Sequence, residues 1–296
     1  ASSKIHSQLE WISARLVLIT YSIVIFLGGA GWHIYGIYTR WILIGIVLIF
    51  CLPGIRSLRK QSVFPEQSWG RWLKLTLFSL LVVVFGLQGS QLLRTTPPDE
   101  RPIRLDPPFK QGTYLVVQGG PSGLNHHASI TAQQHALDIV KLNPLGTRAF
   151  GFLPDNPSAY EIFGEPLYAP CSGTILHASD DLPDQPPPKR NREHVPGNYI
   201  SLDCGEHIVL LAHLKHNSLA VGPGEDVESG VRLAKVGNTG NTTEPHLHIH
   251  AVEGNAKGRK ELFWERTGIP IKFRRHSYPL VRNSTFTIQG EMTSQD

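Results

Sequence analysis

The sequence is poor in sulfur, with three cysteines and one methionine in 296 residues. Cys51, Cys171 and Cys204 have none of the paired spacings of a thiolate zinc site, which excludes a zinc finger or ribbon. Charge is missing from two long stretches. "LVLITYSIVIFLGGAGWHIYG" (16–36) and "LTLFSLLVVVFGLQGSQLL" (75–93) contain no Lys, Arg, Asp or Glu. The net charge is only +4 and no arginine–aromatic pattern is present, so nothing asks for nucleic acid. No internal repeat is visible, and no long helical pattern occurs beyond residue 113. Met292 is the single methionine and the chain begins at Ala1, as a trimmed or processed start would.

What is present divides the chain. Each charge-free run is long enough to cross a hydrocarbon core of roughly 30 Å as a helix. Between them, "WILIGIVLIFCLPGI" (41–55) covers only about 22 Å at about 1.5 Å per residue. Arg40 and Arg56 can snorkel from its ends and let it cross; a re-entrant segment is the alternative. Residues 1–94 are therefore expected to form a transmembrane region of about three helices, at 16–36, 41–55 and 75–93, with the lipid bilayer as partner. The loop from Arg56 to Lys74 holds five basic residues against Glu66, which places it in the cytoplasm and everything after Leu93 outside it. Trp11, Trp32, Trp41 and Trp72 sit near the expected span ends, where amphipathic rings prefer to be. The apolar segments are too long and too numerous for a secretory signal peptide.

"TTPPDERPIRLDPPFKQG" (95–112) has five prolines in 18 residues and reads as an extended tether. From Thr113 to the C-terminus the chain is a series of short β-branched or aromatic stretches bounded by Gly, Pro, Asn or Asp. They include "TYLVVQG", "ALDIVKL", "GNYISLDCG", "HIVLLAHL" and "HLHIHAVE". The expectation for 113–296 is a mostly β domain of antiparallel sheets. Cys171 and Cys204 fall in this half at strand positions, either as a disulfide or as two buried thiols. The oligomeric state is not legible.

Twelve of the fourteen histidines lie beyond residue 100. In "TTEPHLHIHA" (242–251), His246, His248 and His250 alternate with Leu247 and Ile249. On a strand this spacing turns the aliphatics to one side and the imidazoles to the other. "NHHASITAQQHALDIV" (125–140) holds Asn125, His126, His127, His135 and Asp138. A carboxylate between Leu137 and Ile139 needs a metal ion or a cation such as Arg148 to offset its desolvation. His213 emerges from the apolar stretch "VLLAHLKH". Catalytic zinc takes three His or carboxylate ligands and keeps one position open, and this residue set matches that need.

"APCSGTI", "GNYISLDCG", "LLAHL" and "VGNTGNTTEPHLHIHA", in that order, resemble the LytM/lysostaphin-type zinc metallopeptidases, the M23 peptidase family. The resemblance covers about residues 113–255. It implies a LytM-like sheet fold of the duplicated hybrid type and a Zn2+ cofactor. It makes His248 and Asp138 metal ligands, with His246 and His213 flanking the reacting water. His250 has no role in the resemblance and is expected at the surface. The chain departs from the family where a His usually stands four residues before the Asp. That position is Gln134, and His135, three before, points to the opposite strand face. Upstream, Asn125-His126-His127 precedes the stretch Gln134 to Asp138, which resembles a variant branch of the family; this makes His127, folded back by a turn at 128–133, the preferred third ligand, with His126 and then His135 as alternatives. Asn125 is expected beside it as a supporting or substrate-binding group.

The function implied is hydrolysis of peptide bonds in bacterial cell-wall peptidoglycan. The enzyme would be anchored in the inner membrane with its C-terminal domain outside the cytoplasm. The alternative is an inactive LytM-like domain that regulates another wall hydrolase. Retention of Asp138, His213, His246 and His248 favours the enzyme. The proline-rich loop 179–197 is a candidate wall of the substrate groove, or else a surface insertion.

Overall fold

The computed structural model describes residues 7–29, 31–52, 55–92, 101–120, 125–254, 265–274, 276 and 279–289. They form two compact units.

The first unit is helical. Ser7 starts helix α1 (Gln8–Gly28) by accepting the Glu10 N–H at 3.2 Å, which satisfies one of the orphan donors of the first turn. Helix α2 (Trp32–Tyr35) is a single turn that belongs to the second unit. Helices α3 (Thr39–Cys51), α4 (Ile55–Leu58) and α5 (Trp69–Leu92) complete the set. Tyr21 of α1 meets Phe85 of α5 at 5.1 Å between ring centroids, and Phe26 meets Trp41 of α3 at the same distance. Ile19, Ile23, Leu77, Leu80 and Leu87 are exposed.

These helices correct the expected spans. α1 starts at Gln8 rather than at 16, because a capped helix accommodates Glu10 and Arg15 in its early turns. It ends at Gly28 rather than at 36, and Gly29 already has an extended ψ of 127°. α3 stops at Cys51, two residues ahead of Pro53, which has no N–H to continue the helical ladder; Pro53 and Gly54 lie outside the described residues, as does Leu93. At about 1.5 Å per residue, α1 and α5 reach about 32 and 36 Å, whereas α3 reaches only about 20 Å. Among the described residues, two helices, not three, are long and apolar enough to cross a membrane.

The second unit comprises Gly31–Ile37 and the described residues from Arg101 onward. Its strands are β1 (Ile103–Leu105), β2 (Gly112–Gln118), β3 (Leu137–Leu142), β4 (Pro166–Tyr168), β5 (Gly173–Ser179), β6 (Tyr199–Asp203), β7 (His207–Ala212), β8 (Asp226–Val227), β9 (Arg232–Lys235), β10 (Leu247–Glu253), β11 (Gly268–Ile269), β12 (Ile271–Phe273) and β13 (Thr285–Ile288). Nine strands form one antiparallel sheet in the order β13-β2-β3-β10-β7-β6-β5-β8, with β11 pairing β10 beyond the end of β3. β4 and β9 form an antiparallel pair, and β1 and β12 a parallel one. Leu247, Ile249 and Ala251 of β10 join Ile139, Ile200, Leu202 and Leu211 in the main core. The opposite side of β10 is buried as well, so its histidines sit in an interior and not on a wet face.

Part of the expected tether is instead folded into this unit. Ile103 and Leu105 are buried on either side of exposed Arg104, and Phe109 stacks on Tyr114 at 4.1 Å between centroids. The prolines keep the segment extended, and an extended stretch with alternating aliphatics is a strand once a partner lies beside it. Residues 95–100 of the tether lie outside the described residues. Cys171, just before β5, is joined by a disulfide to Cys204, just after β6, so the bridge and not the free thiols is present.

Candidate metal centre

The register of β10 builds the site. His248 pairs directly with Asp138 of β3 on one side and with Ala212 of β7 on the other. Directly opposed residues of antiparallel strands point the same way, and Nδ1 of His248 lies 2.9 Å from Oδ1 of Asp138. His127 arrives from the turn before β3. The Asn125 Oδ1 accepts the His127 N–H at 3.1 Å, and its Nδ2 donates to the Gly120 carbonyl at 2.9 Å. A 3-10 turn at Thr131–Gln133 then carries the chain into β3. Nε2 of His127 sits 3.1 and 3.0 Å from the two oxygens of Asp138. Nδ1 of the same ring faces the Gln133 amide oxygen at 3.2 Å, which leaves Nε2 as the donor atom.

His127 is thus brought to Asp138, as expected. His126 is the outer alternative, with Nε2 3.9 Å from Asp138 and a side chain 62% exposed. His135 is buried outside the group of rings that reaches this carboxylate. Asn125, expected as a supporting or substrate-binding group, is buried, and its oxygen and nitrogen both hold the turn. Arg148 does not serve Asp138 but pairs with Glu244 at 2.8 Å.

His213 and His246 share a tautomer. Nδ1 of His213 lies 2.8 Å from the Thr239 carbonyl, and Nδ1 of His246 lies 2.8 Å from the Glu244 carbonyl. A carbonyl oxygen only accepts, so each Nδ1 carries a proton, and in the neutral ring each Nε2 keeps a lone pair. The His246 Nε2 is 3.7 Å from Asp138, and the two rings are 4.8 Å apart at their centroids. His213 has φ +62°, the left-handed region, at the point where β7 ends. Its N–H donates to Pro196 and its carbonyl accepts from Gly237, so both backbone sides fix this uncommon conformation.

Residues 159–259 match Peptidase family M23. The chain contains an M23 peptidase domain. The matched stretch includes His213, His246 and His248, whereas His127 and Asp138 precede it and are tied to it by the strand register. The chain is also similar to solved structures. A putative peptidase M23 from Pseudomonas aeruginosa is 20% identical, with 62% of this chain and 57% of that one covered and a TM-score of 0.30. The catalytic domain of the antimicrobial peptidase lysostaphin from Staphylococcus simulans is 18% identical (53% and 88% covered, TM-score 0.30). A zinc-containing peptidase from Vibrio cholerae is 18% identical (45% and 48% covered, TM-score 0.26). This chain therefore spans a little over half of the first of these proteins. No curated protein sequence matches it.

His250 of the M23 domain is not at the surface as expected. It is 1% exposed, and its Nδ1 lies 2.8 Å from Nε2 of His248. The alternation that turns His248 toward Asp138 turns His250 to the same side, and the fold covers that side. Burial pushes His250 and His213 well below the ordinary histidine range, and neighbouring imidazoles push the same way. His248 is lowered, again mainly by burial. Burial opposes both the Asp138 charge and protonation of His127. Their mutual attraction overrides it, so the carboxyl is held well below its usual range and His127 is raised.

Loop 179–197 is pinned beside these rings. Asp184 accepts from the Asn238 N–H at 2.6 Å and the His216 N–H at 3.2 Å, and the Asn191 N–H donates to the Gly240 carbonyl. Gly197 (φ +61°) and Gly240 (φ +83°) pass back to back, and a Cβ on either would collide with backbone. Glu244 is clamped by Arg148 and by His33, whose Nε2 lies 3.3 Å away. Burial alone would raise its carboxyl; the His33 hydrogen bond and the Arg148 charge more than reverse this.

The donors fit a divalent ion. Bonds of about 2.0–2.1 Å in tetrahedral geometry put ligand atoms roughly 3.3 Å apart, close to the 2.9–3.1 Å that separates Asp138 from His127 on one side and from His248 on the other. Two imidazoles and a carboxylate are the ligand chemistry of catalytic zinc. Among the described residues, the donors whose atoms all lie within 4.8 Å of one another are His126, His127 and Asp138, and His248 joins them through Asp138.

Proposed function

We propose that this protein is a membrane-anchored zinc metalloendopeptidase that hydrolyses peptide bonds in bacterial cell-wall peptidoglycan. The observation that carries the reading is the convergence on Asp138 of His127 and His248 as donors, beside two histidines with unprotonated Nε2. A domain that only binds or regulates has no need of this second pair. The three donors would hold Zn2+, which when bound supplies Lewis-acid polarisation and acidifies water.

The remaining chemistry belongs to the chain. A water oxygen adds to the peptide carbonyl carbon while Nε2 of His213 or His246 takes its proton. The imidazolium so formed faces the developing negative charge on the carbonyl oxygen. It then returns the proton to the amide nitrogen as the carbon–nitrogen bond breaks, giving an amine and a carboxylic acid that releases its remaining proton to solvent. Thr239 and Glu244, through their carbonyls, keep both rings in the accepting tautomer.

Helices α1 and α5 would cross the bacterial inner membrane, with α3 as a third, shorter span anchored by Arg40. The basic loop 56–74 would lie in the cytoplasm, leaving the M23 domain outside it and within reach of the wall. Loop 179–197, pinned at Asn238 and Gly240, would line one side of the substrate groove.

Digestion of purified peptidoglycan by the full chain, with and without chelator and with fragments analysed by mass, tests this reading. New amines and carboxylates that disappear with chelator are expected. Tight zinc binding without any cleavage would leave the regulator reading in its place.

A further inference from the structure

The segment Gly31–Ile37 lies between α1 and α3 in sequence, yet it folds as part of the M23 domain. Its backbone is anchored there without help from His33's ring. The Arg148 N–H donates to the His33 carbonyl at 2.9 Å, and the Ile37 N–H donates to the Gly146 carbonyl at 2.9 Å. Ile37 packs with Leu115, Val140 and Leu142. Gly36 (φ +92°) runs so close that a Cβ would lie 2.9 Å from the Leu145 carbonyl oxygen.

We propose that His33 is a positioning residue for the hydrolytic site, acting through Glu244 on His246. The inference rests on the peptidase reading above. His33 and Arg148 each take one oxygen of the Glu244 carboxylate, at 3.3 and 2.8 Å. The carbonyl of that same residue accepts the Nδ1 proton of His246 at 2.8 Å. Pro245, between them, fixes its own φ and restricts Glu244 to extended geometry. The Thr242 hydroxyl donates to the Glu244 carbonyl at 2.7 Å and lies 3.2 Å from His246 Nδ1; with the side chain also gripped at both oxygens and the backbone restricted on the C-terminal side, that carbonyl is held in one direction. That direction sets which nitrogen of His246 is free to take a proton. Arg148 is 1% exposed and is itself held by a bond to the Phe152 carbonyl, so His33 is the replaceable jaw of the clamp. The connection between two apolar helices thereby becomes a component of the catalytic domain, and displacing it would misorient His246.

The test uses the full, zinc-loaded chain in detergent and the variants His33→Ala, His33→Gln and Glu244→Gln. Turnover of peptidoglycan fragments, zinc content and the nitrogen NMR signals of His246 are recorded. Partners that orient ligands and rings are typically worth about 10–100-fold in activity, and a residue one step further out is expected near the low end. His33→Ala should lower kcat about tenfold with KM and zinc content unchanged, and should mix the two tautomers of His246. His33→Gln, which still offers an N–H to Glu244, should restore most of both. Wild-type kcat and an unmixed His246 spectrum in His33→Ala overturn the proposal. Should His33→Ala fail to fold, Glu244→Gln is judged by the same two readouts. If the wild-type chain cleaves nothing, the peptidase reading fails, while the His246 spectrum still decides the clamp.

Discussion

His250 presents its Nδ1 2.8 Å from Nε2 of His248, on the side of that ring away from Asp138. A histidine that binds metal through Nδ1 carries its proton on Nε2 and needs an acceptor there, and His250 is placed to be one. His250→Gln should weaken metal binding about 10–100-fold, as loss of such a partner typically does. Isothermal titration of the metal-free protein with zinc measures this. Undiminished affinity would show that His250 merely fills space.

The donors and the proton-accepting rings should separate on mutation. His248→Ala and His127→Ala are expected to lose tightly bound zinc, and with it turnover. His246→Ala and His213→Ala should keep about one zinc per chain and lose turnover by about 100-fold or more. Metal analysis beside a cleavage assay distinguishes the two groups. Retention of zinc by His127→Ala together with its loss from His126→Ala would move the third donor to His126.

Acid should destabilise the metal-free domain. His213, His248 and His250 are held below the ordinary value of about 6.5 by burial. Below about 6.5 the unfolded chain binds protons that the folded chain refuses, so stability falls as pH drops through that value. His127 is raised and acts oppositely: its contribution is full below about 6.5 and fades as pH rises through its folded value. Three rings outweigh one. Asp138, held low, adds a further loss in more acidic solution. Thermal unfolding in chelator, followed by near-UV circular dichroism, should give a lower Tm at pH 5 than at pH 7. His213→Gln should flatten the difference, and a Tm that rises on acidification contradicts the argument.

Phe109 tests the segment that folds into the domain instead of trailing from it. It is 3% exposed and stacked on Tyr114. Phe109→Ala should cost about 3–5 kcal/mol, the usual range for emptying such a site. Urea unfolding of the wild type and variant gives the number. A cost below about 1 kcal/mol, typical of surface positions, would return this stretch to the role of a tether.

The β-strands were legible because they rest on period-two alternation, which a sequence displays directly; the pairing of His248 with Asp138 came from the resemblance to the M23 family. The direction of His250 was legible from the same alternation, but its burial was not. Whether a strand's second face is covered depends on elements elsewhere, here the turn carrying Ala132, which packs on Ile208 and Val252. His127 could be assigned because strand parity ruled against His135. Gln133 and Asn125, which orient and place it, became visible only once the turn at 125–133 was in hand. His33 and Arg148 were out of reach: no local pattern links either to Glu244, and hydropathy alone assigned His33 to a membrane span. The span limits missed for a similar reason, since a charge-free window ignores caps and glycines.

Asp138 and His248 are adjacent in the sheet but 110 residues apart along the chain. At about 5–20 residues per second, the ribosome needs roughly 5 to 20 seconds to make the stretch between them. Throughout that interval the β3 carboxylate exists without its opposing imidazole, and β2 awaits β13, which is made later still. If the proposed donors hold zinc, its capture would be a late event of biogenesis: a nascent chain stalled before His248 would hold only His127 and Asp138 of the three proposed donors, and should not retain the ion.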